Sequence, residues 1–254
     1  MGERLPLVHT VRAATMGLWA NKGMLCKLIA LVALVTSVFE WLAAEMVARD
    51  SFFGLFILGA VRVGVYTCLA VIVHRLVLQA DLSHDLKFPY FRWTKRETRF
   101  LGWLVVVYFY LALVFVAVGV VSGALGGLWV SADSAPAWVW QLVFVLISLP
   151  AAYLFVRLSV LLPATAVDQK RDMAWAWGLT EGNGWRLVVL MWLFPMLVSG
   201  AIPEIAIEYY FFQFAWNFAL GFITAIEISV LSVAFKSMGG LLIEESGLGA
   251  QSCG

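Results

Sequence analysis

Long apolar runs alternate along this chain with short connections rich in polar and aromatic residues. Six runs can be drawn, at 24–47, 52–78, 100–130, 138–167, 187–206 and 210–238. Each is near or above the roughly 20 residues that a helix needs to cross a bilayer. The longer ones must tilt or extend into the headgroups. Pro150, Pro163, Pro195 and Pro203 fall inside or at the ends of these runs, where proline kinks or ends a helix. The pattern predicts an all-α membrane protein with six transmembrane helices. They form one polytopic domain over 1–245, with a Gly-rich tail over 246–254.

Composition points the same way. The 254 residues are 63% hydrophobic and 13% charged, against about 45–50% and about 25% in soluble domains. A soluble fold of this size has too little interior to hide that much apolar surface, so the bilayer is the expected solvent. The first 22 residues are too polar for a secretory signal peptide. The net charge of +1 gives no reason to expect a nucleic-acid partner.

The placement of the charges says more than their sum. Arg4, Arg12, Lys22 and Lys27 precede or open the first run. Arg75, Lys87, Arg92, Lys95, Arg96 and Arg99 flank the second connection, Lys170, Arg171 and Arg186 the fourth, and Lys236 ends the last run. With six helices all of these lie on one side, leaving Arg49 among Glu45, Asp50, Asp133, Glu204 and Glu208 on the other. The positive-inside rule then puts both termini in the cytoplasm.

The cytoplasmic connections share a texture: "TVRAATMGLWANKGMLCKL", "FPYFRWTKRETRFLGWL" and "DMAWAWGLTEGNGWRLVVL" each mix Trp with small or polar residues, then a basic residue, then an apolar run. This fits cytoplasmic interfacial amphipathic helices, each followed by a membrane hairpin, in three units at 1–80, 81–167 and 168–245. Identity between the units is weak, so a true repeat and a merely shared composition both stay open. Val8, Ala13, Met16, Leu18 and Trp19 make one expected surface-lying face; Met173, Trp175 and Trp177 make another.

The stretch "GLTEGNGWRL" (178–187) raises the question of a phosphate loop. It lacks GxxxxGK[ST] and any preceding strand, and no GxGxxG in a βαβ unit exists. It reads instead as helix punctuation: Gly182 in the left-handed conformation, Asn183 as N-cap, and Gly184 in a tight turn. Trp185 and Arg186 then sit at headgroup depth. His74, Arg75, Asn183, Trp185 and Arg186 are the candidate contacts to lipid headgroups. The amides of the new helix N-terminus offer a lipid phosphate further donors.

Ionisable groups at membrane depth cost about 2.5–3.5 kcal/mol each on insertion scales and therefore face partners or cavities. Glu40, Arg62, Arg157 and Glu227 form the candidate intramembrane polar site, with Glu40–Arg62 and Arg157–Glu227 as expected pairs. Structural ion pairs, a polar pathway and a docking surface for a partner helix are all open readings. Cys26, Cys68 and Cys253 lie at different depths with no metal-ligand spacing, so neither a disulfide nor a metal site is expected. His9 and His84 are outside the bilayer, which leaves His74 without a second axial ligand for haem. No cofactor is expected, and GxSxG, HExxH and DxDxDG are absent.

Residues 157–187, "RLSVLLPATAVDQKRDMAWAWGLTEGNGWRL", resemble uncharacterised bacterial inner-membrane proteins related to the membrane domain fused to some glycerophosphodiester phosphodiesterases. Arg157, Leu158, Pro163, Ala164, Val167, Asp168, Trp177, Leu179, Thr180, Gly182, Asn183, Trp185 and Arg186 carry the likeness, with 73–81 and 91–104 as further pieces. The resemblance implies six helices with interfacial helices, and no catalytic residue, because the phosphodiesterase activity belongs to a separate soluble domain. The leading expectation is a non-enzymatic accessory, scaffold or envelope-organising factor working through helix and lipid contacts. A small transporter or lipid-handling protein, and a subunit of a larger membrane complex, are the alternatives. Membrane lipids, a membrane-protein partner or a second copy are the expected partners.

Overall fold

The structure is a computed structural model, which describes residues 4–79, 93–128, 137–195 and 210–241. Those residues are helical with short connections and no strand. The helices are α1 (Leu7–Ala20), α2 (Lys22–Ala48), α3 (Phe52–Leu78), α4 (Lys95–Leu128), α5 (Ala137–Ser159), α6 (Leu161–Ala166), α7 (Met173–Leu179), α8 (Gly184–Val188) and α9 (Tyr210–Ser237). A π-helical turn, Val189–Leu193, continues α8, and the chain stays helical through Pro195. Among the described residues five helices are long and apolar enough to cross a membrane: Lys22–Ala48, Phe52–Leu78, Lys95–Val116, Ser148–Ala166 and Phe212–Ser237. This is the composition of a multi-pass membrane protein. The expected run at 187–206 is described only to Pro195. The expected interfacial segment at 81–92, the acidic residues Asp133, Glu204 and Glu208, Cys253 and the tail at 246–254 lie outside the described residues.

Local chemistry sets the helix ends. Asp50, in the left-handed region at φ 51°, turns the chain between α2 and α3, and the Ser51 hydroxyl accepts from the Gly54 amide at 3.3 Å to cap α3. At α4 the Thr94 amide donates to Glu97 Oε2 at 2.7 Å, half of a Thr-x-x-Glu capping box. That cap starts the helix at Lys95, five residues before the apolar run at 100. The run at 138–167 divides at Val160 into α5 and α6. At the end of α9, Gly240 N–H bonds the Phe235 carbonyl at 3.0 Å and Gly239 N–H the Lys236 carbonyl at 3.1 Å. With Gly239 at φ 78° this is a Schellman stop, which favours glycine at that position.

α2, α3 and α9 pack side by side around Leu25, Leu28, Ile29, Val32, Leu69, Ile72, Val73 and Ala225. Side-chain pairs fix their directions. Glu40 of α2 meets Gln213 and Asn217 near the start of α9, and His74 of α3 meets Ser232 near its end. α3 and α9 therefore run the same way and α2 runs opposite. A second cluster joins α5, α6, α7, α8 and α9 through Val156, Leu161, Ala176, Leu187, Val188, Ala234 and Phe235.

α1 packs against α9 and departs from the expected face. Its buried stripe is Thr10, Ala14 and Leu18, spaced by four. Val8, Met16 and Trp19 point away from the protein. Leu18 therefore belongs to the opposite face from the residues with which it was grouped, because α1 uses its small-residue side to approach α9 closely. Long apolar side chains also line the outer surface of α3 and α4, among them Phe53, Phe56, Val105, Phe109 and Leu113. In lipid such a surface needs no further cover.

Phe235 is fully buried and its ring meets Trp175 at 6.2 Å and Gly240 at its edge. Phe235→Ala is expected to cost about 3–5 kcal/mol, seen as a lowered unfolding temperature of the detergent-solubilised chain.

Candidate functional site

Arg157 sits near the end of α5 and is 5% exposed. Its Nε donates to Thr180 Oγ1 at 2.7 Å, Nη1 to the Tyr153 hydroxyl at 3.1 Å, and Nη2 to the Trp177 carbonyl. The guanidinium lies 3.5 Å from the centre of the Trp177 ring and 5.4 Å from that of Tyr153. Thr180 sends its own proton to the Ala176 carbonyl at 2.8 Å, so its lone pairs face the arginine. The charge is thus met by the last-turn carbonyl of α7, two hydroxyls and two π faces, and among the described residues no carboxylate pairs with it. The expected Arg157–Glu227 pair is not formed. Among the described residues Glu227 makes no ion pair, since α5 turns its arginine toward α7 and away from α9.

The other expected pair is brought together. Arg62 Nη2 lies 3.6 Å from Glu40 Oε1. Glu40 Oε2 accepts from Gln213 Nε2 and Asn217 Nδ2, each at 2.7 Å, and Asn217 also reaches Ser37 Oγ at 3.0 Å. Gln213, Asn217 and Ser37 were not among the sequence candidates. Their signal was available as amides and a hydroxyl inside apolar runs.

The "GLTEGNGWRL" stretch is punctuation, with one addition. Gly182 is left-handed at φ 77° as expected. Asn183 occupies the N-cap position of α8, but its side chain makes no capping hydrogen bond. Its Oδ1 accepts instead from the Leu5 amide at 2.9 Å, while Arg186 Nη1 donates to the Leu5 carbonyl at 2.6 Å. The two side chains satisfy both polar groups of one backbone unit and seat the Leu5 side chain in the core at 1% exposure. Gly184 is required for a different reason: a Cβ there would stand 2.6 Å from the Tyr153 ring.

The headgroup candidates divide. Trp185 is 61% exposed, and Arg75 and Arg186 are half-buried. Asn183 and His74 are buried and have no route to a headgroup. His74 lies on the stripe Thr67, Val71, His74, Leu78, which faces the protein, whereas the adjacent Arg75 is turned about 100° away. His74 Nδ1 is 2.7 Å from Ser232 Oγ. The Ser232 hydroxyl also lies 2.9 Å from the Ile228 carbonyl. A separate surface cluster joins Asp168, at φ 63°, to Arg96 Nε at 3.1 Å and Arg99 Nη2 at 3.2 Å. It ties the connection after α6 to the start of α4. Among the described residues no group of three or more His, Cys, Asp or Glu side chains has the geometry to hold a metal ion.

The described residues define an all-helical, multi-pass membrane protein in which Arg157 and Glu40 are met by groups of the chain itself. No family model, curated protein or solved structure matches the chain.

Three variants separate the nodes. Asn183→Ala is expected to free residues 4–20, read as new cleavage there under limited proteolysis while α2 and α3 stay protected. Ser232→Ala leaves the buried His74 Nδ1 without its partner and is expected to cost about 1–3 kcal/mol. His74→Phe combined with Ser232→Ala should recover part of that loss in thermal unfolding.

Proposed function

We propose that this chain is a non-enzymatic, multi-pass protein of a bacterial inner membrane, acting as an accessory, scaffold or envelope-organising factor through helix and lipid contacts. The observation that carries the reading is the use made of Arg157. A transport or catalytic cation is held ready for a substrate, whereas every nitrogen of this guanidinium is directed to Thr180, Tyr153 or Trp177. The likeness of residues 157–187 to the phosphodiesterase-linked membrane domains belongs to the same proposal. Its shared residues include Arg157, Trp177 and Thr180 of the arginine cluster, and Asn183 and Arg186, which hold the Leu5 backbone.

Six crossings with both termini in the cytoplasm complete the reading. Asn183 opens α8 beside Leu5, in the cluster that contains the end of α9, while Gln213 starts α9 beside Glu40 at the other end. The described residues on either side of 196–209 thus stand at opposite ends of α9, which supports a sixth crossing. Arg4, Lys236 and the Arg96–Arg99–Asp168 cluster support a cytoplasmic assignment for the end that holds both termini.

A transporter or lipid-handling role is favoured by one observation, the half-exposed Arg62 at membrane depth. Purification from native membranes in mild detergent, with mass spectrometry of bound lipids and chains, tests the two readings. Under the scaffold reading Arg157→Ala lowers stability but leaves the bound lipid set unchanged. Selective loss of one anionic lipid in Arg157→Ala would make the arginine a ligand site and defeat the proposal.

A further inference from the structure

The Arg62–Glu40 node differs from the Arg157 node in one respect: it is only half closed. The Arg62 side chain is 45% exposed and that of Glu40 is 26% exposed. Arg62 lies ten residues past Phe52, about 15 Å along α3, and Glu40 eight residues before Ala48, about 12 Å from the end of α2. Both are well inside the spanning segments. Glu40 is held by Gln213 and Asn217, but Arg62 has only the 3.6 Å approach to Glu40 and the Tyr66 ring at 5.9 Å. Among the described residues its N–H groups find no acceptor at hydrogen-bond distance. Donors left so in hydrocarbon cost several kcal/mol each, so a further acceptor brought to Arg62 stabilises it.

The charge pattern selects the occupant. An isolated anion is repelled by Glu40 and an isolated cation by Arg62, so the face suits a partner carrying both signs at the same depth. A second copy meets this condition by construction. A two-fold axis along the membrane normal preserves depth, so Arg62 of each copy reaches Glu40 of the other, and the patch is self-complementary. Gly59 lies three residues before Arg62 on the same face of α3, and an added Cβ there meets nothing within 4 Å. A backbone without a side chain at that point lets another helix come close. We propose that this face of α2 and α3 is the interface between two copies of the chain, with Arg62 and Glu40 exchanged across it. This goes beyond the scaffold reading and does not depend on it.

The test uses the purified full chain in liposomes at limiting density, with copies counted by single-molecule photobleaching. Two copies per particle are expected for the wild type. Arg62→Glu puts two carboxylates on the patch and should lower the paired fraction at least tenfold. Glu40→Arg with Arg62→Glu should restore it, because the Gln213 and Asn217 amides can turn their carbonyls toward arginine. Gly59→Cys should add an oxidant-dependent dimer band absent from the wild type. Single copies in the wild type would overturn the proposal even if the charge variants failed to fold. Pairing unchanged in a folded Arg62→Glu would also overturn it. So would a different chain, or an anionic lipid, bound at one per single copy and lost in Arg62→Leu.

Discussion

A buried guanidinium met by a carbonyl, hydroxyls and aromatic faces constrains everything around it. Arg157 must place its N–H groups on polar acceptors of the protein, because neither lipid nor apolar side chains supply any. The acceptors are the Trp177 carbonyl, Thr180 and the Tyr153 hydroxyl. Meeting them fixes the last turn of α7 against α5, and the next residues follow from that position. Gly182 reverses the chain, Gly184 lets it pass under Tyr153, and Asn183 and Arg186 arrive where they grip the backbone of Leu5. The seating of α1 on α9 thus rests on an arginine about 150 residues away in sequence.

The same logic recurs with other groups. In an apolar solvent the hydrophobic effect does little to choose helix partners, and polar groups that must be satisfied choose them instead. Ser232 receives His74 and so aligns α3 with α9, while Asn217 and Gln213 receive Glu40 and align α2 against them. The Asp168 bridges to Arg96 and Arg99 act where water is available, and their worth is correspondingly small.

Several of these features were legible in the sequence. The long apolar runs mark α2, α3 and α9 within a residue or two, because length and hydropathy alone determine a spanning segment. The Glu40–Arg62 pair was readable from rise along two adjacent antiparallel helices. His74 was misread as interfacial through its neighbour Arg75; the stripe Thr67, Val71, His74, Leu78 places it inward on a helical wheel. The Arg157 pairing was misread because a carboxylate was assumed to be the natural partner, whereas a carbonyl, hydroxyls and aromatic faces suffice. The grip on Leu5 had no readable signal, since the groups bound are backbone atoms that any residue carries. The weak likeness among the three segments expected on the cytoplasmic side did not reveal that α1 turns Thr10, Ala14 and Leu18 inward while α7 buries only Ala176.

Arg157 organises the α7 turn and, through it, the distant N-terminal helix. Hydrogen–deuterium exchange of the full chain in nanodiscs, comparing wild type with Arg157→Met, tests this most directly. The account predicts faster exchange over 173–187 and, in step with it, over residues 4–20, with α2 and α3 unchanged. Faster exchange confined to 173–187, or none at all, would contradict it.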